Sequence, residues 1–411
     1  MRWMFAMGLL GSTLAAAQTP PPSKAPAPPS KAPPERAENA PRSEPTAPAP
    51  KLTRLDGSTI TIAEVERFIA AQMRAAHVTG LAIAVLQRGE VAYVKAFGER
   101  DAAKHLPLEI DTVMYGASFT KAMYATIVAD LAEAGALDLD RPVAQLLGRP
   151  WPQVARYTEL AGDPRADRIT PRMLMSHTAG FANLRFLEPD GRVHLHFEPG
   201  EKYAYSGEGI NLLQLAVEAA TGKPGGDLMR ERVFEPLGMT RTSMTWQPLL
   251  ADHTASGHDR RGRPLGHVQR AAARAAGSMD TTIADYAKFL SAMMRGTLVS
   301  PAAKRAALTP RIAIHTARQF PTLEMAPSTE PDKVGLAYGL GWGLLTRTPY
   351  GLGYFKEGHD DGWGNYSLAF DRPGIGIVLM SNSDNGETIF RALLEKIIHD
   401  DVTPWAWEGY P

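Results

Sequence analysis

The sequence predicts an α/β (α+β) chain, a sheet split between the two ends of the sequence with a largely helical stretch between them. Three observations carry this. Leu81 to Gln87 and Val91 to Phe97 are strand-like apolar runs joined by the turn Arg88-Gly89-Glu90, which reads as a hairpin. The middle of the chain shows apolar residues mostly at helical spacing. From Leu336 onward strand patterns return, and a helix from Glu387 to His399 closes the chain.

The elements follow in order. Met1-Arg2-Trp3, an apolar run from Met4 to Leu14 and Ala15-Ala16-Ala17-Gln18 describe a secretory signal peptide over residues 1–17, cut after Ala17. Residues 18–52 are dominated by Pro and Ala and repeat Ser-Lys-Ala-Pro at Ser23 and Ser30. They cannot bury enough apolar surface to fold and read as a linker. Thr61-Ile62-Ala63-Glu64 is a capping box, followed by Val65, Phe68, Ile69, Met73 and Ala76 on one helical face. After the hairpin, an amphipathic helix opens at Ser118 and runs through Met123, Ile127 and Leu131 to Gly135. Pro171 starts another helix from the first helical position. Ile210 to Thr221 and Asp227 to Phe234 are helical, and Thr240 to Ala275 is a loop with a ribbon. Thr282 to Asp285 caps a helix to Met294. Strands are expected at Leu340–Thr346, Gly351–Lys356, Tyr366–Phe370 and Ile375–Ser381.

Composition narrows the function. The 411 residues carry 44 basic and 44 acidic side chains, so nothing argues for a nucleic-acid partner. With no cysteine, neither a disulfide nor a lipid-modified thiol is available. No run after the signal approaches transmembrane length. The pair His194 and His196 lacks a third ligand at a convincing spacing, so neither a metal nor another cofactor is expected.

Three stretches could carry chemistry. Tyr115-Gly116-Ala117-Ser118-Phe119-Thr120-Lys121 ends an extended segment and opens a helix, so Ser118 and Lys121 share one face of its first turn. A serine is a poor nucleophile until its proton is removed, and a lysine can remove it only when burial or positive potential keeps the amine neutral. Read alone, the pair could equally be a capping serine and a solvated lysine. Tyr203-Ala204-Tyr205-Ser206-Gly207 follows a Pro-Gly turn and precedes a helix, and a phenol there could shuttle a proton. Gly358-His359-Asp360-Asp361-Gly362-Trp363 lies beside a strand. His359 could supply positive charge, and a backbone N–H near Gly362 could help hold an oxyanion. His177, at a helix end, reads as a residue that satisfies local carbonyls.

Taken together, these stretches resemble the serine β-lactamase and penicillin-binding-protein superfamily, in its class C β-lactamase-like branch. That branch includes D-Ala-D-Ala carboxypeptidases, D-aminopeptidases and family VIII esterases. Its motifs are Ser-x-x-Lys, Tyr-x-Asn and a Lys- or His-based triplet, matched here at Ser118–Lys121, Tyr205–Gly207 and His359–Asp361. ITPRMLMSHTAG from Ile169, EPGEKYAYSGEGINLL from Glu198, FEPLGM from Phe234, Ala276 to Asp285 and YGLGW from Tyr338 are similar as well.

The resemblance implies a β-lactamase/transpeptidase-like fold over residues 53–411, an antiparallel sheet flanked by helices with a largely helical second lobe. The α/β lobe would take 53–125 and 276–411, the helical lobe 126–275. It implies Ser118 as acylated nucleophile, Lys121 as its activating partner and Tyr205 as proton shuttle. His359 would be the third-motif cation, and the N–H groups of Ser118 and Gly362 the oxyanion hole. The substrate would be a small molecule or peptide-like, in the periplasm or outside the cell, with cell-wall association an option. Two departures stand out: Gly207 replaces the Asn of the second motif, and Asp361 replaces the usual Gly of the third. Both favour esters or small amides over β-lactams. The competing reading is a catalytically weak penicillin-binding or peptidoglycan-binding sensor.

Overall fold

The computed structural model describes residues 50–410. The signal and most of the linker lie outside them. The elements that position the site are helix α1 (Ile62–Ala76), strands β1 (Gly80–Gln87), β2 (Glu90–Asp101), β3 (Leu106–Pro107) and β4 (Met114–Tyr115), and helices α2 (Phe119–Glu133) and α3 (Gly207–Thr221). They continue with β5 (Asp280–Thr281), α4 (Ile283–Arg295), β6 (Ile312–Ala313), β7 (Leu336–Tyr338), β8 (Gly343–Leu345), β9 (Gly353–Asp360), β10 (Trp363–Phe370), β11 (Ile375–Ser381) and α5 (Phe390–Ile398).

A nine-stranded sheet runs β6-β7-β8-β9-β10-β11-β1-β2-β3, and every pairing in it is antiparallel. The chain thus closes its sheet by laying the last strand, β11, against the first long one, β1, with Ile377 opposite Val85. That long-range pairing is the split sheet the sequence predicts.

Strand β1 explains the layering. Its apolar run is buried throughout, as a central strand covered on both faces must be. Leu81, Ile83 and Val85 face a cluster with Val65, Ile69 and Met73 of α1 and Leu393, Leu394 and Ile397 of α5. Ala82, Ala84 and Leu86 face the other way, into a cluster with α2 and α4. Thr61 caps α1 in the reciprocal box the sequence shows, accepting from the Glu64 N–H while Glu64 accepts from the Thr61 N–H.

Helix α2 departs from the expected amphipathic helix. Every residue from Phe119 to Ala129 is buried, as is Leu131, so it is apolar all round and enclosed on all sides. Phe119 stacks on Tyr286 of α4, with ring centres 3.9 Å apart. On another side the YGLGW stretch passes so close that a Cβ on Gly341 would come within 2.4 Å of the Ala125 Cβ. Truncating a fully buried phenylalanine such as Phe119 costs about 3–5 kcal/mol. The helix carrying Ser118 is therefore held rigidly.

Strand boundaries hold a second difference. The expected strand ending at Lys356 continues to Asp360, and β10 begins at Trp363. The hairpin turn is Asp361-Gly362, so His359 sits inside a strand rather than beside one.

Candidate active site

Short strand β4 delivers the chain to α2 through a tight corner. Gly116 donates its N–H to the Met279 carbonyl, and Ala117 adopts φ 45°, a left-handed conformation that costs a non-glycine residue energy. Thr120 Oγ donates to the Ala117 carbonyl at 2.6 Å and accepts from the Met279 N–H at 3.2 Å, which holds the corner. Ser118 follows as N-cap of α2 but makes no capping bond with its side chain, so its hydroxyl is left for other partners.

The partner is Lys121. Its Nζ lies 2.7 Å from Ser118 Oγ and also donates to the Ala276 carbonyl. The residue is 4% exposed. Burial, and then the positive charge of Lys356, hold its amine well below the ordinary lysine range, with Glu357 opposing. The capping-serine reading of this pair is excluded by these contacts.

Tyr205 comes from the segment that leads into α3. His177 anchors it: the His177 Nδ1 accepts from the Ser206 N–H at 3.1 Å, and the two rings lie 4.4 Å apart. His177 therefore does not serve local carbonyls as expected. It is buried and held neutral, by burial first and then by Lys121. The Tyr205 ring lies 5.1 Å from Lys121 Nζ. Burial, then the Glu357 charge, keep its phenol well above the ordinary range, with the Ser118 hydroxyl pulling the other way.

The third stretch assembles differently from expectation. Lys356 of β9 is fully buried, and its Nζ donates to Tyr205 Oη at 3.1 Å and to Glu357 Oε1 at 2.8 Å. A Cβ on Gly358 would stand 3.0 Å from the Ser118 nitrogen, so a side chain here would crowd the start of α2. The triplet beside the nucleophile is thus Lys356-Glu357-Gly358. His359 is half-exposed, faces Phe320 at 5.7 Å, and is shifted below its ordinary range, by burial first, against the pull of Glu357. It lines the cleft but is not the enclosed cation.

Gly362 is further from its expected role. Its N–H is taken by Asp384 Oδ1 at 2.5 Å, and its Cα packs against the Gly257 backbone. That N–H is therefore not available to an oxyanion. Asp361 is exposed, in the hairpin turn. Gly207 opens α3 and donates its N–H to Asn183 Oδ1 at 3.0 Å. A Cβ there would meet Leu184 Cδ2 at 3.1 Å, so Leu184 and Asn183 occupy the space beside the position where the resemblance places an asparagine. The sequence does carry a signal for Lys356: Lys356-Glu357-Gly358 is itself a Lys-x-Gly triplet, three residues upstream of His359-Asp360-Asp361.

Ser118, Lys121, Tyr205, Glu357, Gly358 and His359 line a cleft of about 1070 Å³. Its rim is apolar where Phe186, Leu187 and Val268 stand 72%, 60% and 64% exposed. Asp360, Asp361 and Asp384 also border it. His194 and His196 pair separately with Asp190 and Glu188.

The family model described as Beta-lactamase matches residues 65–399. Unguisins hydrolase ungD of Aspergillus violaceofuscus is 25% identical over 375 residues, covering 82% of this chain and 63% of that protein. Penicillin-binding protein 4 of Amycolatopsis lactamdurans is 26% identical over 349 residues, 78% of this chain and 85% of the other. This chain therefore spans less than two thirds of the first relative and most of the second. In fold, the octameric penicillin-binding protein homologue from Pyrococcus abyssi superposes with a TM-score of 0.66 at 22% identity, over 85% of this chain and 80% of that one.

Proposed function

The chain belongs to the beta-lactamase family, and we propose that it is an exported serine hydrolase that acylates Ser118 with esters or small amides bearing apolar groups. The observation that carries the reading is the contact of Lys121 Nζ with Ser118 Oγ at 2.7 Å, in a setting that keeps the amine neutral. A neutral amine can accept the hydroxyl proton, whereas the Tyr205 phenol is held protonated and cannot be the first base.

The steps follow from that division. Ser118 Oγ attacks the substrate carbonyl carbon as its proton passes to Lys121 Nζ. The carbonyl oxygen becomes an oxyanion between two N–H groups, those of Ser118 and His359. Support for His359 comes from strand geometry. Beyond Phe355 the edge of β9 is no longer paired with β8, and there the Glu357 carbonyl accepts from Lys356 Nζ at 2.8 Å. Backbone groups alternate sides along a strand, which turns the His359 N–H to the edge the Glu357 carbonyl uses. As the intermediate collapses, the bond to the leaving group breaks, and the leaving atom takes a proton relayed through Tyr205. Lys356, 3.1 Å from that phenol, stabilises the negative charge it bears in transit. Water then attacks the acyl carbon, giving a proton to Lys121 Nζ; the bond to Ser118 Oγ breaks, the carboxylic acid leaves, and Oγ takes the proton back from Lys121.

The cleft rim suits apolar groups. Phe186, Leu187 and Val268 expose apolar surface there, while the charged lining is mixed, with Arg260, Arg270 and Arg274 beside Asp360 and Asp361. Residues 1–17 as a cleaved signal, a spacer from residue 18 and the two lobes at their stated bounds belong to this proposal; the spacer ends earlier than residue 52, because Lys51–Thr53 is a strand and Leu52 is buried in the core.

The test is a side-by-side panel of short and long p-nitrophenyl esters, nitrocefin and a D-Ala-D-Ala peptide, with fluorophosphonate labelling. Turnover of esters and labelling lost in Ser118→Ala are expected. Labelling that persists in Ser118→Ala sinks the mechanism. A stable penicillin adduct without turnover of any substrate would assign the protein to the sensor reading instead.

A further inference from the structure

The triplet on β9 carries a carboxylate in its middle, sealed from solvent. The Glu357 side chain is 3% exposed, and its Oε1 accepts from Lys356 Nζ at 2.8 Å and from Gln319 Nε2 at 3.2 Å. Two amines converge on the same phenol ring, Lys356 Nζ at 4.9 Å and Lys121 Nζ at 5.1 Å from its centre. The mechanism above uses both amines and leaves the acid without a task.

Charge compensation supplies one. A buried ion is costly unless an opposite charge touches it. Glu408, a further carboxyl enclosed near this network, accepts from Tyr366 Oη and is kept protonated by burial and then by the Glu357 charge, and Glu387 is pushed up to about 7 by burial first. Glu357 is thus the anion in direct contact with the two-lysine pocket, and one anion supports one cation. Lys356 touches it. Lys121 does not, and faces the Ser118 hydroxyl and a carbonyl instead.

We propose that Glu357 is the positioning residue that divides the labour of the two lysines, holding Lys356 as the cation beside Tyr205 and leaving Lys121 as the free amine at Ser118. The inference rests on the reading of Ser118 as nucleophile. The remaining titratable groups that feel Glu357 are His359 on its own strand, Tyr203 and Tyr205 before α3, Tyr338 on β7, Tyr286 on α4, Glu387 after β11 and Tyr410 at the C-terminal end. None of these is a second anion in contact with Lys356.

The test compares the full chain with Glu357→Gln and Glu357→Asp. In Glu357→Gln, the alkaline limb of the kcat/KM profile for p-nitrophenyl acetate should move down by about one to three pH units, the span of one contacting opposite charge. The kcat should fall with KM little changed, and Glu357→Asp, which keeps the charge, should move the limb back. An unmoved limb in Glu357→Gln, or Glu357→Asp as shifted as Glu357→Gln, overturns the proposal.

A second readout is independent of turnover. Nitrogen-labelled lysine side chains, assigned with Lys121→Met and Lys356→Met, report two well-separated titrations in the parent protein and a downward move of Lys356 in Glu357→Gln. Coincident titrations in the parent overturn the proposal even if no ester is hydrolysed, whereas Ser118-dependent labelling alone decides the hydrolase reading. Should Glu357→Gln fail to fold, the two lysine titrations of the parent protein carry the test, and coincident titrations overturn the proposal.

Discussion

The start of α2 and the open edge of β9 each bring a buried lysine to the same phenol, and they treat it in opposite ways. Lys121 meets a hydroxyl and a carbonyl, neither of which carries charge. Lys356 meets a carboxylate at 2.8 Å. Burial depresses both amines, and Glu357 opposes it at both, but only the second amine touches that carboxylate. The same side chain becomes a base in one place and a cation in the other, and the nearest neighbour decides which. Burial alone would not separate them, since both lysines are almost completely enclosed.

Substitutions can break that comparison. The largest effect is expected for Lys121→Ala, with kcat for p-nitrophenyl acetate down about 10⁴-fold, the upper end of what a positioned proton acceptor contributes. Wild-type turnover in that variant would refute the assignment. Lys356→Met should lower kcat by about 10²-fold, nearer the lower end, because Tyr205 loses charge stabilisation while the attack on the carbonyl keeps its base. A loss equal to that of Lys121→Ala would mean the two amines are not divided in role.

The pH dependence sharpens the comparison in activity and in stability. Lys121 must be unprotonated to act, so kcat/KM should rise with pH through its lowered pKa and be lost as pH falls below it. For stability the sign is fixed by proton counting. Between the lowered folded pKa and the ordinary unfolded one, the unfolded chain binds more protons, so stability rises with pH across that window. Lys121→Met should therefore raise the melting temperature near neutral pH, and the gain should shrink as pH rises. A variant that melts below the parent at neutral pH would contradict a neutral buried amine.

The smallest effect is expected for His359→Ala. The residue contributes its backbone N–H to the proposed oxyanion hole, which alanine retains, while its ring is half-exposed and shifted toward the neutral form. A fall in kcat/KM of less than about tenfold is expected, well below the range of a proton-transfer group. A loss matching that of Lys356→Met would restore the ring as the working cation.

The two regions were also unequally legible. Ser118 and Lys121 could be paired from the sequence because three residues on a helix are neighbours by geometry, whatever the rest of the chain does. Tyr205 came from a motif flanked by a turn and a helix start, both local signals. On β9 the residues beside the nucleophile lie three positions upstream of the expected triplet. His359-Asp360-Asp361 looked like a polar turn, and Lys356 fell at the end of an apolar run where a strand was expected to stop. Nothing local distinguishes a buried lysine from a solvated one at a strand end. Gly362 failed for a related reason: a glycine in a polar stretch announces a turn, and its N–H is claimed by Asp384, which is distant in sequence.

The order of apolar runs, caps and turns in the sequence by itself determined the split sheet and set Ser118 and Lys121 on one helical face, since these depend on periodicity and on contacts within one turn of helix. The tertiary structure alone decided which residue of the third stretch meets the nucleophile, that α2 is enclosed on every side, and which lysine keeps its proton. Those outcomes depend on strand register and on a carboxylate brought to an amine inside a low-dielectric cleft, and the Lys-x-Gly spacing by itself settles neither.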